Sequence, residues 1–414
     1  MYEEEISECR LFYNSNNDIP QIMRFEIKLD DLVDYNIFKK AVFITMKRYP
    51  YYCVKLEKKN DSYYFISNSN DIIVSNSNNY LKLNTEETNY HLLYFSSYDN
   101  IISINVFHVL TDGYGVYQII KTLLFYYGIN KYGNNISKEG IRLYGDVINE
   151  EEYMNPFINF NYNPKSQYRL DPVYTIKREK TSANIYHISI PEEKLMDKIK
   201  YYGGTPNVFF SILIAKAIYK IDRLDDEKIR ISVCVNQRKG FNNPLLHQSL
   251  VGGAMLDFNK DNINLSMDEL CKIMKKALKE KTTEEKILDG IASQRALAKY
   301  ILSFKEDNER VNVVKGIYKY ANEVVSANIS YVGNTDFKEM ESHIIDFKTL
   351  ISPTTPILIE ISSVNNYFYL DIIQDFDDDI YIKEILNELN NLGINYNLKN
   401  KAKLIIPSIK LPWN

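Results

Sequence analysis

Cysteine and histidine are scarce in this chain of 414 residues, four and five in number. Cys9, Cys53, Cys234 and Cys271 form no C-x-x-C pair, which argues against a disulfide framework or a structural zinc site in a chain of this size. No H-x-x-x-H pair sets two imidazoles on one helical face, so no metal is expected. Long apolar runs are also missing. The richest, NVFFSILIAKAIYKI, is interrupted by Lys216 and Lys220 and falls short of the ~18 apolar residues that a membrane span needs. The opening MYEEEISECR is acidic and has no apolar stretch behind a basic end, so a secretory signal is not expected. Fifty Lys and Arg against fifty-four Asp and Glu leave a net charge of -4, too little positive field to favour nucleic acid or anionic lipid. These absences together predict a cytoplasmic protein without a membrane span.

Hydrophobic residues at 45% and charged residues at 25% match a folded globular chain, and the length allows two ordinary domains. Tyrosine is abundant, at 34 residues. Because Asn, Ile and Lys are frequent as well and all four share A- and T-rich codons, genome bias explains this more simply than a stacking platform, which also needs a clustered basic groove.

The hydrophobic pattern alternates strands and helices. QIMRFEIKLDD reads as a strand, and Ile37, Phe38, Ala41, Val42 and Thr45 mark a helix that ends near Pro50. In NIISINVFHV, Ile102, Ile104, Val106 and His108 share one parity, which predicts a buried row ending in the imidazole. GYGVYQIIKTLLFYYG then carries a helical apolar stripe. Asn-Pro and Asp-Pro steps between about 150 and 180 break any periodic element. Thr205 and Pro206 supply the N-cap and first turn of a buried helix. Residues 265 to 325 read as helical and highly charged, and Asn365-Asn366 as the tight turn of a closing hairpin. The expected division is 1–165, a crossover at 166–180, and 181–414.

The stretch FHVLTDGYG places His108 four residues before Asp112 and Gly113 at a strand-to-helix junction. A neutral imidazole, with a reference pKa of about 6.5, is suited to take a proton near pH 7. Gly113 leaves room where a ligand or backbone passes closely. The plainer reading is a hydrogen-bonded histidine at a strand end, an N-capping Asp112 and a turn glycine.

At this motif the chain resembles the coenzyme A-dependent acyltransferase superfamily, whose H-x-x-x-D-G pattern is matched by His108, Asp112 and Gly113. "RYPYYCVKL", "GGTPNVFFSILIAKAI", "VNQRKG" and "SYVGN" extend the likeness over most of the chain, closest to the alcohol acetyltransferase and condensation-domain branch. Phe107 stands where condensation domains often have a first histidine. The D-F-G-W-G motif of the plant enzymes is missing, and Gly253 occupies a place where related proteins tend to carry Asn. The resemblance implies an α/β fold of mixed sheets, two chloramphenicol acetyltransferase-like domains with a tunnel at their interface and His108 near its middle. It implies His108 as general base, Asp112 paired with Arg238 in support, and Gly113, Asn328 and Ser330 near substrate. Acyl-CoA would be a co-substrate, with no tightly bound cofactor, and a small alcohol or amine the acceptor, on a monomer. A condensation enzyme acting on carrier-protein-bound substrates, or a non-catalytic binding protein of the same fold, are the alternatives.

Overall fold

The computed structural model describes residues 2–133, 136–158, 160–165 and 169–414; residues 166–168, at the start of the expected crossover, lie outside the described residues. From 171 to 180 the chain runs without helix or strand, as its Asp-Pro step dictates.

Two mixed sheets dominate. The first has five strands in the order Ile344–Leu350, Ile22–Leu29, Ile101–Phe107, Leu93–Tyr98, Val74–Ser75. The second has seven, in the order Val251–Phe258, Ile229–Asn236, Ala327–Asn334, Ile357–Val364, Tyr367–Gln374, Asn184–Pro191, Asn397–Lys403. A three-stranded sheet joins Glu3–Glu5, Ser62–Ser67 and Val54–Lys59. The helices Tyr35–Arg48 and Gly113–Lys131 pack together over the first core. Helix Pro206–Ile221 begins with Thr205 accepting from the Val208 amide and Pro206 in its first turn, as the sequence signal requires. Its Phe209, Ile212 and Leu213 are fully buried in the second core. Asn365 and Asn366 take positive φ, +47° and +61°, between strands paired from Val364 with Tyr367, the geometry of a two-residue hairpin turn.

The cores do not follow chain order. Strand Ile344–Leu350 leaves the second half and pairs antiparallel with Ile22–Leu29 at the edge of the first sheet. Ile301, Val314, Phe337, Met340 and Phe347 pack into the first core with it. Within a division into 1–165 and 181–414, this strand belongs by chain order to the second part and by pairing to the first sheet, because the hydrophobic pattern does not show which sheet a strand joins.

Strand alternation in the second sheet sets up everything that follows. Ile357, Ile359 and Ile361 point into the second core, whereas Leu358 and Val364 point into the first. Between these last two, on the same face by the two-residue period, lie Glu360 and Ser362. The face turned to the first lobe is thus polar at its middle.

A buried charge cluster ties the crossing strand to this face. His187 donates from Nδ1 to Asp371 (2.6 Å) and from Nε2 to Asp346 (2.8 Å), and Lys399 closes on the other oxygen of Asp346 at 2.6 Å. The Thr349 amide donates to Asp371 (2.7 Å). Burial opposes the charge on His187, but the two carboxylates outweigh it and raise its pKa to about 9. A group raised in the folded state stabilises fully below its unfolded pKa of ~6.5 and loses that contribution as pH rises through the folded value. Unfolding free energy should therefore fall between about pH 6.5 and 9, and urea titrations across that window should show no such fall attributable to this cluster in His187→Gln.

Candidate active site

Strand Ile101–Phe107 ends one residue before the imidazole. Ile102, Ile104 and Val106 are buried as their parity predicts, but His108 does not extend that row. It sits half-buried in the turn that follows, with its amide donating to the Gln21 carbonyl at 2.8 Å. The chain has to change direction here to begin helix Gly113–Lys131, which frees the ring from the core.

His108 Nδ1 lies 3.0 Å from the Thr111 carbonyl oxygen. A carbonyl only accepts, so Nδ1 carries the hydrogen and Nε2 holds the free lone pair. Among the described residues Nε2 has no hydrogen-bond partner. Burial lowers the pKa of His108 below the ordinary histidine value, and the nearby charge of Arg10 adds to this, against the opposing pull of the Thr111 carbonyl and Asp112. The ring is neutral at pH 7, with its basic nitrogen unoccupied.

Asp112 is the N-cap of the helix, accepting from the Gly115 amide at 3.1 Å. It also accepts from Leu250 N at 2.9 Å and takes a bidentate pair from Arg238, 2.8 Å from Nη1 and 3.0 Å from Nη2. Both side chains are 2% exposed. Burial resists ionisation of Asp112, yet Arg238 and the two amides hold its pKa below the usual carboxylate range. The remaining Arg238 donors reach Leu246 O and Gln248 O, each at 2.7 Å, and Asn236 Oδ1 at 3.2 Å. With that, all five N–H groups of the guanidinium are satisfied. Asp112 is both cap and arginine partner: Oδ1 accepts from the Gly115 amide and from Arg238 Nη2, and Oδ2 accepts from Arg238 Nη1 and the Leu250 amide. Thr111 Oγ1 adds a second tie across the lobes, to the His247 carbonyl at 2.6 Å.

His108 faces a cavity of about 130 Å³ between the lobes. Gly113 and Tyr117 line it from the first lobe, and Cys234, Asn236, Ser330 and Glu360 from the second. A Cβ on Gly113 would come within 3.0 Å of Val332, so this glycine permits the close approach of the two lobes. Gly115 is tighter still: a Cβ there would overlap Thr111 Oγ1 and meet Tyr52 Oη at 2.8 Å. Ser330 is on the cavity wall, whereas Asn328, two residues earlier and paired with Ser232 and Leu358, is not among the lining residues. Phe107, in the place of a first histidine, is a fully buried core residue.

A second cavity, about 260 Å³, lies against the N-terminal segment, where Glu8, Cys9 and Arg10 line it together with Gln294 and Arg295. Through Arg10 and Glu8 its wall acts electrostatically on His108 and Asp112. Among the described residues no group of His, Cys, Asp and Glu is arranged to hold a metal ion, and no helix is long and apolar enough to cross a membrane.

Sequence reasoning missed Arg10, Glu8, Cys234, Tyr117 and Glu360. For Glu360 a signal existed. It is the one charged residue in ILIEISSV, a strand otherwise without charge, and an isolated carboxylate in such a strand calls for a partner or a task.

No family model matches the chain, and no curated protein matches its sequence. Solved structures do match its shape. The trichothecene 15-O-acetyltransferase TRI3 of Fusarium sporotrichioides superposes with a TM-score of 0.65 at 10% identity, over 94% of this chain and 95% of that one. TRI101 of F. sporotrichioides, solved with coenzyme A and T-2, gives 0.60 at 11% identity over 96% and 100%. The first condensation domain of the calcium-dependent antibiotic synthetase, in complex with a substrate analogue, gives 0.59 at 11% over 94% of each. The chain has the fold of the coenzyme A-dependent acyltransferases and condensation domains.

Proposed function

We propose that this protein transfers an acyl group from acyl-coenzyme A to the hydroxyl or amine of a small acceptor, with His108 as general base. The observation that carries this reading is the tautomer of His108: Nδ1–H is spent on the Thr111 carbonyl, and Nε2 is left basic on a cavity between two lobes. In the proposed reaction Nε2 takes the acceptor's proton as its oxygen or nitrogen bonds to the thioester carbonyl carbon. The tetrahedral adduct then collapses, the C–S bond breaks, and the imidazolium returns the proton to the departing thiolate. No acyl-enzyme is required. Asp112 and Arg238 act as positioning residues, since they hold the turn and not the substrate. Ser330, on the far wall, is a candidate substrate contact, with Gly113 leaving the space it faces.

Donor and acceptor would reach His108 through the space between the lobes, of which the cavity it lines is a part. The likeness to TRI101, which was solved with coenzyme A, supports coenzyme A as the thiol carrier. Four free cysteines accord with a reducing cytoplasm.

The test is to incubate purified protein with acetyl- and longer acyl-coenzyme A and a panel of alcohols and amines, while following free thiol. Acceptor-dependent thiol release from free acyl-coenzyme A is expected. Turnover only with an acyl group carried on a carrier protein would replace this reading by condensation, and tight binding without turnover of any thioester would make the chain a binding protein.

A further inference from the structure

Three strands of the second sheet each carry a single carboxylate or imidazole in their middle: Glu360 in Ile357–Val364, Asp371 in Tyr367–Gln374 and His187 in Asn184–Pro191. The strand registers bring them side by side. Ser330 pairs with Glu360, Glu360 with Asp371, Asp371 with His187, and His187 with Lys399. The result is a polar row across five strands. It runs from the cavity of His108, which Ser330 and Glu360 line, to the edge strand. Of its carboxylates, Asp371 is occupied by His187 and by the Thr349 amide. Glu360 forms no ion pair among the described residues and opens on the cavity.

Resting on the acyl-transfer reading above, we infer that Glu360 is a second catalytic residue, a neutral carboxylic acid that donates its O–H to the thioester carbonyl oxygen as that oxygen becomes an oxyanion. The groups around it fit this role. The Asp371 carboxylate beside it disfavours a second negative charge; burial raises the pKa of Asp371 itself, and His187 and the Thr349 amide, bonded to it, oppose that rise. Cys234, two strands away on Ile229–Asn236, and Tyr117, on the helix of the first lobe, line the same cavity and are held neutral by burial. The nearest strong cation on the cavity wall, Arg238, is engaged with Asp112. Burial and then Asp371 raise the Glu360 carboxyl to about 7, against the hydrogen bond with Ser330. His108, on the other side of the same cavity, is deprotonated at that pH. A base and an acid thus face one small space, their tendencies set in opposite directions by their surroundings. The proton of Glu360 is shared and not transferred: it stabilises the oxyanion and stays with the carboxyl when the C–S bond breaks, while His108 carries the proton that moves.

Two measurements test this. The first needs no turnover. In protein labelled with ¹³C at glutamate carboxyls, the resonance that vanishes in Glu360→Gln should titrate near pH 7, well above the ordinary ~4.3; a midpoint in the ordinary range overturns the inference. The second uses the acyl-coenzyme A assay. Wild-type kcat should fall above about pH 7 as Glu360 ionises. Glu360→Gln, whose amide still donates but cannot ionise, should lose that alkaline limb, and Glu360→Ala should lower kcat by ~10² to 10³. An unchanged alkaline limb in the Gln variant, or near-normal kcat in the Ala variant, overturns it as well. If wild type turns over no thioester at all, the acyl-transfer reading fails, and with it the catalytic role of Glu360, whatever its titration shows.

Discussion

His108→Ala should lower acceptor-dependent thiol release by at least about two orders of magnitude, the usual contribution of a general base, and leave the thermal unfolding midpoint almost unmoved. The asymmetry comes from how the ring is held. It is half-buried and makes one side-chain hydrogen bond, from Nδ1 to Thr111 O, so removing it takes away little packing and a single hydrogen bond. The lost function is larger, because among the described residues no other imidazole lines the cavity: His247, tied to the same turn through Thr111, is 2% exposed, has its Nδ1 on the Glu152 carbonyl and is set among tyrosines. Burial lowers its pKa to about 3, and it does not line the cavity. Steady-state kinetics with the best acyl-coenzyme A and acceptor pair would measure the effect. Near-normal turnover would remove His108 from the mechanism.

The second large effect is on stability. Arg238→Met should destabilise the fold by ~3–5 kcal/mol, the cost of leaving a buried charge without its partner. Asp112 would keep only two amide donors, from Gly115 and Leu250. The carbonyls of Leu246 and Gln248 would lose the guanidinium as well. Urea denaturation at pH 7 should show the loss directly. Its pH dependence carries a sign that can be checked. Asp112 is depressed in the folded protein, so its contribution is complete above the unfolded value of ~3.9 and disappears as pH falls through the folded value. Without Arg238 the folded pKa rises, and acid unfolding of the variant should begin at higher pH than in wild type. Turnover should fall too, since the same pair fixes the turn that carries His108.

A good part of this site could be read in the amino acids. His108, Asp112 and Gly113 lie close together in the chain, so the resemblance to the acyltransferase motif marks them, and the same resemblance implies Arg238 as the partner of Asp112. Secondary structure was also legible where local rules govern it. Thr205 and Pro206 start a helix, and Asn365-Asn366 close a hairpin, because capping and positive φ are decided within a few residues. The expectation failed for the position of His108 on the strand. Parity extends a row indefinitely, whereas the chain ended the strand at Phe107 to enter the helix.

The order of the hydrophobic segments determined that this chain folds into alternating strands and helices, and the motif residues determined which turn carries the imidazole, since both depend on contacts between near neighbours. Tertiary structure alone decided that strand Ile344–Leu350 crosses to the first sheet, and that Ser330, Glu360, Asp371 and His187, drawn from four separate strands, stand in one row. Register between distant strands depends on which faces find burial together, a property of the whole packed molecule and not of any one segment.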